Sequence, residues 1–214
     1  MKKCLSKIYN RVSSIWYKAR IHNNNFTIIT NTCIGGVMYH KLGKKFLSPT
    51  INLWMEDPDF FRFVRHLDKY LPQPLRFVQG IDTTPTAYCG DVLIHFNHYK
   101  TEEEAEEKWN ERKTRINWDN LFILCSDRPN PDTGEVVTHE DMLSLKNIPC
   151  KGRVVFSVRQ YDDMDYIVPL PKDPHGEYVN EYMFDKSKHT QLWRWESAWD
   201  WVHWLNTGEV KVMN

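Results

Sequence analysis

The stretch FTIITNTCIGGVMY, residues 26–39, places a reactive side chain between a predicted strand and a predicted helix. Its apolar, β-branched start is typical of a strand buried on both faces. Cys33 follows this strand, and after Gly35 and Gly36 the apolar residues return at helical spacing. The free amides at such a helix start favour an anion and lower the pKa of a thiol. Cys33 is therefore the first candidate for a reactive residue, with a buried, inert cysteine as the alternative.

Other polar residues stand where further predicted strands end. They are Asn31 beside Cys33, then His95, Asn97, His98 and Lys100 in one segment, and Asp127 and Arg128 in another. The carboxyl ends of parallel strands meet at one edge of a sheet, which is where open α/β folds bind ligands. We therefore expect these side chains to line one crevice together with Cys33.

A thiol and an imidazole base are the groups that nucleophilic acyl transfer requires. We assign Cys33 as the nucleophile or as an oxyanion-site residue, and His98, which lies beyond its strand, as the base. His95 alternates with apolar neighbours, so it suits a core position equally well. No metal site is predicted, because the spacing His95-x-x-His98 lacks a following Glu or a matching pair of cysteines.

Residues for binding are expected around this pair. Asn31 and the amides of Gly35 and Gly36 are predicted to support an oxyanion beside the thiol. Lys100 and Arg128 suit the phosphates of CoA or of a nucleotide, with solvated side chains as the alternative. Acetyl-CoA or CoA is the expected cofactor, and a nucleotide ligand stays open as the alternative.

Composition limits the class of protein. The 214 residues suit a single α/β domain over residues 23–214, preceded by a helix over residues 1–22. The 28 Lys and Arg residues balance 28 Asp and Glu residues, which argues against a nucleic-acid-binding protein. Five cysteines without CxxC spacing favour a reducing, cytoplasmic setting. No apolar run is long enough to span a bilayer.

The first 22 residues are basic and amphipathic. Apolar residues recur there at steps of three and four, and no acidic residue is present. The basic residues are Lys2, Lys3, Lys7, Arg11, Lys18 and Arg20, and the apolar stripe is Leu5, Ile8, Tyr9, Val12, Ile15, Trp16 and Ala19. Such a helix can lie on anionic lipid, so residues 1–20 are predicted to contact the inner-membrane surface. Packing of the stripe on the body of the protein is the alternative.

Strands and helices alternate along the rest of the chain. Strands are predicted over residues 26–30, 50–54, 92–96, 121–125, 153–158 and 166–168, and helices across Val37, Met38 and Leu42 and over residues 57–71, 102–115, 138–145 and 191–206. Residues 72–90 are predicted as a loop with at most one short strand near 75–78. The alternation predicts an α/β fold of three layers, with a mostly parallel sheet covered by helices on both faces.

Three stretches carry a resemblance to a known family: NNNFTIITNTCIGGVMYHKLG, SPTINLW and IHFNHYKTEEEAEEKWNERKTRINWDNLFIL. They resemble a bacterial domain-of-unknown-function family found among exopolysaccharide and capsule biosynthesis proteins. The resemblance runs from about Asn23 to Asp127 and more loosely to the C-terminus. It implies an α/β fold and a place in surface-polysaccharide assembly. A Cys directly after the first strand is also similar to capsule enzymes regarded as acetyltransferases that bind CoA, in which Gln follows where this chain has Ile34.

Three functions stay open at this point. The favoured one is a cytoplasmic, membrane-peripheral transferase that moves an acetyl group onto a sugar hydroxyl of a surface glycan. The second is a glycosyltransferase that uses a nucleotide sugar, with Asp127 and Arg128, or Asp91, at the diphosphate. The third is a non-catalytic glycan-binding or scaffold protein, which the nine Trp and ten Tyr residues support.

Overall fold

The structure is a computed structural model that describes residues 2–79, 82–176, 178–180 and 193–213, with side chains from residue 11 onward. The α-helices are α1 (Lys2–Arg20), α2 (Ile34–Leu42), α3 (Asp57–Val64), α4 (Leu67–Tyr70), α5 (Glu102–Lys113), α6 (His139–Ser144), α7 (Arg194–Ala198) and α8 (Trp201–Thr207). The strands are β1 (Thr27–Thr30), β2 (Leu75–Val78), β3 (Thr86–Cys89), β4 (Val92–His95), β5 (Leu121–Ser126), β6 (Gly152–Ser157) and β7 (Ile167–Pro169). Short 3-10 helices cover Trp118–Asn120 and Leu145–Asn147.

Two sheets organise these elements. The larger has the order β1-β5-β6-β7 with parallel pairing throughout, and β1 aligns with β5 so that Thr27 faces Leu121. The smaller is antiparallel with the order β2-β3-β4. The predicted α/β class with a parallel sheet is confirmed in this mixed form. The three-layer arrangement and the division at residue 22 stay predictions.

Alternate residues of the parallel strands belong to two separate hydrophobic clusters, because successive side chains of a strand point to opposite faces. One cluster joins Ile28, Phe122 and Val154 to residues of α1, α2, α7 and α8. The other joins Ile29 and Ile123 to residues of α3, α5, α6 and the small sheet. Burial on both faces explains why these strands read as continuous apolar runs.

The glycine pair after Cys33 lets α2 lie close to β1. A methyl group at Gly35 would come within 2.7 Å of Thr30 Cγ2 and 3.0 Å of Ile51 Cδ1. A methyl group at Gly36 would come no closer than 3.4 Å to its neighbours. Gly35 is therefore required by packing, and it sets the distance between the start of α2 and the end of β1.

The predicted strand over residues 50–54 is wrong. This segment turns instead, because Asn52 adopts a left-handed φ of 68° that interrupts an extended run. Only Trp54 pairs, in an isolated antiparallel bridge with His95. The bridge nevertheless connects this segment to the end of β4.

The predicted loop over residues 72–90 is wrong in part. The one short strand expected near 75–78 is confirmed as β2, but the segment also contains β3, which pairs with β2 on one side and with β4 on the other. The predicted strand over residues 92–96 is therefore not a member of the parallel sheet. A short apolar run such as Val92–His95 has the same pattern in either kind of sheet, and its partner Thr86–Cys89 lies among Pro and Thr residues.

Two predicted helices are each divided in the structure. The helix over 57–71 separates into α3 and α4 at His66, whose φ of −137° is not helical. The helix over 191–206 separates into α7 and α8, because Trp199 is extended and pairs with Val212. Asp200 then caps α8 by accepting from the His203 amide at 3.1 Å. Residues 191 and 192 of that prediction lie outside the described residues.

Helix α1 contacts the body along one side. Tyr17 is buried, and its hydroxyl donates to Glu196 Oε1 at 2.9 Å. Lys41 of α2 lies 2.6 Å from the same carboxylate. Val12, Ile15 and Trp16 are 60%, 62% and 53% exposed, and Val12 and Trp16 line a cavity beside Tyr17 and Glu196. Within the part of the chain that the structure describes, no helix is long and apolar enough to cross a bilayer.

Candidate functional site

Cys33 and His98 come together at the carboxyl edge of the parallel sheet. The Cys33 Sγ atom lies 4.0 Å from His98 Nε2, and both side chains are exposed. Cys33 follows β1, whereas His98 lies in the turn after β4 of the small sheet. The sequence predicted this pair on the basis of parallel strand ends. The antiparallel sheet brings His98 to the same edge by another route.

Cys33 stands directly before α2, at the N-cap position. The Ile34 amide donates to Thr32 Oγ1 at 3.3 Å, and the first intrahelical bond runs from the Val37 amide to the Cys33 carbonyl. The amides of Gly35 and Gly36 belong to the first turn, which lacks intrahelical acceptors. These amides and the helix dipole place partial positive charge beside the thiol.

Asp57 forms a buried polar centre at this edge. Its carboxylate accepts from Asn31 Nδ2 at 2.5 Å, from Ser126 Oγ at 2.7 Å and from the Arg128 amide at 2.7 Å. The Arg128 Nε atom lies 3.6 Å from the same carboxylate. Burial raises the pKa of Asp57, while Arg128 and the three hydrogen bonds act in the opposite direction.

This centre connects three elements that are distant in sequence. Asn31 directly follows β1, Ser126 ends β5, and Asp57 begins α3. Because the side-chain amide of Asn31 donates a hydrogen bond to Asp57, Asn31 is placed to hold the end of β1 and the following Cys33. The Asn31 side chain, which was predicted to support an oxyanion, donates to Asp57, and the amides of Gly35 and Gly36 are the other predicted oxyanion donors.

Asp127, which was predicted for binding, contacts the neighbouring strand. Its carboxylate accepts from Ser157 Oγ at 2.6 Å, and its amide donates to the Phe156 carbonyl at 3.2 Å. Burial raises its pKa, and the Ser157 hydrogen bond opposes that effect. These contacts tie β5 to β6 at the same edge. Asp91 lies in the β3–β4 turn, at the opposite end of β4 from His95, and accepts from Tyr70 Oη at 2.7 Å.

The remaining predicted residues lie at the end of β4 or in the turn after it. His95 is buried and packs on Trp54 with ring centroids 4.4 Å apart, and its Nδ1 lies 3.6 Å from Asp82. Burial lowers the pKa of His95, and Asp82 acts against this. Asn97 and Lys100 are exposed on either side of His98.

Two cationic side chains at this edge, Lys100 and Arg128, were predicted to bind the phosphates of a cofactor. Lys100 is exposed, whereas Arg128 contacts Asp57 and keeps 26% of its side chain exposed. Among the described residues, no three His, Cys, Asp or Glu side chains are grouped as a metal site requires.

A cavity of about 260 Å³ opens next to Asp57. Its lining residues are Trp54, Glu56, Asp57, Arg128, Pro129, Pro131 and Tyr178. Burial, together with the negative charge of Asp57, raises the pKa of Glu56 to about 7, and Arg128 lowers it in part. Sequence reasoning missed Glu56 and Asp57 as site residues. Asp57-Pro58 has the pattern of an ordinary helix start, and its real partners lie 26 to 71 residues away along the chain.

Comparison with known proteins gives the family. Residues 4–206 match the Domain of unknown function (DUF1919). The chain belongs to the DUF1919 family. An uncharacterized protein of Haemophilus influenzae is 33% identical over 190 residues, which cover 87% of each chain. Neither description states a reaction, so the link of this DUF1919 protein to exopolysaccharide and capsule biosynthesis stays a prediction.

Proposed function

We propose that this DUF1919 protein is an acyltransferase that moves an acetyl group from acetyl-CoA to a sugar hydroxyl. The observation that carries the proposal is the distance of 4.0 Å between Cys33 Sγ and His98 Nε2. Cys33 is also exposed and stands at the start of a nine-residue helix. Both features are typical of reactive cysteines, whereas inert cysteines are buried.

In this mechanism His98 Nε2 takes the proton of the Cys33 thiol as the sulfur attacks the thioester carbonyl of acetyl-CoA. The bond from that carbonyl carbon to the CoA sulfur breaks, and His98 returns the proton to the leaving thiolate. Cys33 then carries the acetyl group. The first-turn amides of α2, at Gly35 and Gly36, are placed to stabilise the negative oxygen of each tetrahedral intermediate.

The second half-reaction uses the same two side chains in reverse. His98 removes the proton of a sugar hydroxyl, whose oxygen attacks the carbonyl carbon of the acetylated Cys33. The carbon–sulfur bond breaks, and the Cys33 thiolate recovers its proton from His98. The products are an acetylated sugar and the free enzyme. The choice of a surface glycan as acceptor rests on the family resemblance.

We further propose that α1 rests on the cytoplasmic face of the inner membrane. Its sequence contains six basic residues and no acidic one. Val12, Ile15 and Trp16 are each more than half exposed, which supports contact of this face of α1 with a membrane interface. An acyltransferase held there would meet glycan intermediates attached to membrane lipids.

The nucleotide-sugar alternative has less support. Asp127 accepts from Ser157, and Asp91 lies at the far end of β4, so neither carboxylate is placed beside Arg128 to hold a metal-bound diphosphate. Binding of UDP-sugars or CMP-sugars in preference to CoA would favour that alternative. A thermal-shift comparison of these ligands separates the two, because a ligand that binds the folded state raises its apparent stability.

The decisive experiment is intact-protein mass spectrometry after incubation with acetyl-CoA. We expect one acetyl group on the wild-type protein, mapped to Cys33, and none at that position in Cys33→Ala. Cys150→Ala is the matched control, because Cys150 is a half-buried cysteine outside the site. His98→Gln should slow the modification at least about tenfold. Acetyl-CoA turnover that is unchanged in Cys33→Ala would overturn the proposal.

A further inference from the structure

We propose that the cavity lined by Trp54, Glu56, Arg128 and Tyr178 binds a single carbohydrate ring. The choice of a sugar rests on the proposed function, but the site itself is argued from its own lining. Its volume of about 260 Å³ is just below the range of about 300–1,000 Å³ that is typical of pockets for drug-sized ligands. The cavity therefore suits one ring rather than an extended oligosaccharide.

The lining combines apolar surfaces with a few polar groups. Trp54, Tyr178 and two prolines supply the apolar part, and Glu56 and Arg128 supply the polar part. A sugar ring has the same composition, with C–H faces that pack on aromatic rings and hydroxyl groups that both donate and accept. Arg128 can only donate, whereas a carboxyl group that is partly protonated near neutral pH can do both.

The environment of Glu56 keeps its carboxyl group partly protonated near neutral pH. Burial raises its pKa to about 7, and the charges that act on it are Asp57 and Asp59 from α3 and Arg128 and Asp132 from the loop after β5. Three of these four groups are negative, so they oppose ionisation of Glu56. The protonated form donates to a hydroxyl oxygen, and the ionised form accepts from a hydroxyl group.

The cavity is connected to the Cys33 and His98 pair through two neighbouring residues, His95 and Asn31. Trp54 pairs with the backbone of His95, and its ring packs on the His95 imidazole. His95 lies three residues before His98. Asp57 in the cavity wall accepts from Asn31, two residues before Cys33. An occupant of the cavity would therefore lie along the same edge of the sheet as the thiol.

The test is saturation-transfer NMR with the full chain and a panel of methyl pyranosides, with adenosine as a probe for a nucleotide base. We expect transfer to at least one pyranoside and about tenfold weaker binding in Trp54→Ala. Trp118→Ala is the matched control, because Trp118 is an exposed tryptophan in a 3-10 helix before β5. Trp54→Phe keeps an aromatic ring and should restore most of the binding if Trp54→Ala is poorly folded.

Glu56→Gln should retain pyranoside binding while removing its dependence on pH between 6 and 8. Binding that is unchanged in Trp54→Ala, or transfer to adenosine without transfer to any pyranoside, would overturn the inference. Cys33→Ala distinguishes the inference from the proposed function. Pyranoside binding that persists in this variant supports the cavity even if no acetylated Cys33 is ever found, and acetylation of Cys33 without pyranoside binding would overturn the cavity alone.

Discussion

Asn31 Nδ2 lies 2.5 Å from Asp57 Oδ1, and this buried contact fixes the end of β1 to the start of α3. Both side chains are almost fully inaccessible to solvent. Because Cys33 comes two residues after Asn31, the position of the thiol depends on a carboxylate that does not touch it. We therefore expect that loss of the contacts around Asp57 also displaces Cys33 from the candidate site.

Replacing Asp57 should destabilise the fold. In Asp57→Ala the donors of Asn31, Ser126 and Arg128 lose a buried acceptor, and removal of one partner from a buried charged pair costs about 3–5 kcal/mol. Asp57→Asn keeps an acceptor oxygen and should cost less. Urea unfolding measures both variants against Asp119→Ala, which changes an exposed carboxylate. An unfolding midpoint of Asp57→Ala equal to that of the control would contradict the role of this centre.

Glu56 should make stability depend on pH. Its carboxyl has a pKa of about 7 in the folded protein against 4.5 in the unfolded chain, so the folded state binds the proton more tightly. The stability that comes from the tighter proton binding of folded Glu56 is fully present below pH 4.5 and is lost as the pH rises through about 7. Glu56→Gln lacks the ionisable group, so it should be more stable than wild type at pH 8, on the order of 1–2 kcal/mol after solvent screening.

The measurement is the difference in unfolding free energy between wild type and Glu56→Gln at several pH values from 5 to 8. The difference should shrink toward pH 5, where both proteins carry a neutral side chain at this position. Glu106→Gln on the exposed side of α5 is the matched control and should show a much smaller trend. A difference that is constant with pH would mean that Glu56 titrates as an ordinary surface carboxyl.

The elements that the sequence predicted well are those whose signals are local. The strand before Cys33 and helix α2 follow from a β-branched run and from helical spacing after it. Helix α6 begins after Thr138, which forms a capping box with Asp141. Helix α5 likewise begins after Thr101, whose side chain accepts from the Glu104 amide at 3.2 Å. Each of these signals lies within a few residues of the element it defines.

The parts that the sequence did not predict depend on distant partners. The choice between a parallel and an antiparallel neighbour for β4 depends on β3 and on Trp54, which lies 41 residues before His95. Asp57 has a local pattern that a helix start explains completely. Its partnership with Asn31 exists only after β1 and α3 have packed. The raised pKa of Glu56 likewise requires burial, which no spacing in the sequence encodes.

The two adjacent glycines of α2 should respond differently to the same substitution. Gly35→Ala forces a contact of 2.7 Å with Thr30 Cγ2, a methyl group close to the backbone of β1 that has little room to move. Overpacking of this kind costs about 1–3 kcal/mol, and it should also displace the Cys33 end of α2. Gly36→Ala meets its nearest neighbour at 3.4 Å and should be neutral or slightly stabilising, since alanine favours a helix.

Thermal unfolding together with the rate of Cys33 acetylation checks this pair of variants. Gly35→Ala should lower both the melting temperature and the rate, while Gly36→Ala should leave the rate close to that of wild type. Equal effects of the two substitutions would show that close packing of α2 on β1 does not set the position of the thiol.

Membrane contact should depend on the exposed side chains of α1. In vesicles that contain anionic lipid, the triple variant Val12→Ser, Ile15→Ser, Trp16→Ser should bind much more weakly than wild type, because it loses the apolar side chains that enter the interface. These residues are more than half exposed, so the variant should keep its fold, in contrast to a deletion that would remove Tyr17 from Glu196. Co-sedimentation with vesicles measures the bound fraction.

Val136→Ser together with Trp118→Ser is the matched control, since it removes exposed apolar side chains outside α1. Binding of wild type should also fall when anionic lipid is replaced by neutral lipid or when salt is raised, because each basic residue near the surface contributes about 1 kcal/mol of screened attraction. If α1 only supports the fold, the triple variant will sediment with vesicles to the same extent as wild type. Loss of binding in the control variant would instead attribute the interaction to apolar exposure in general.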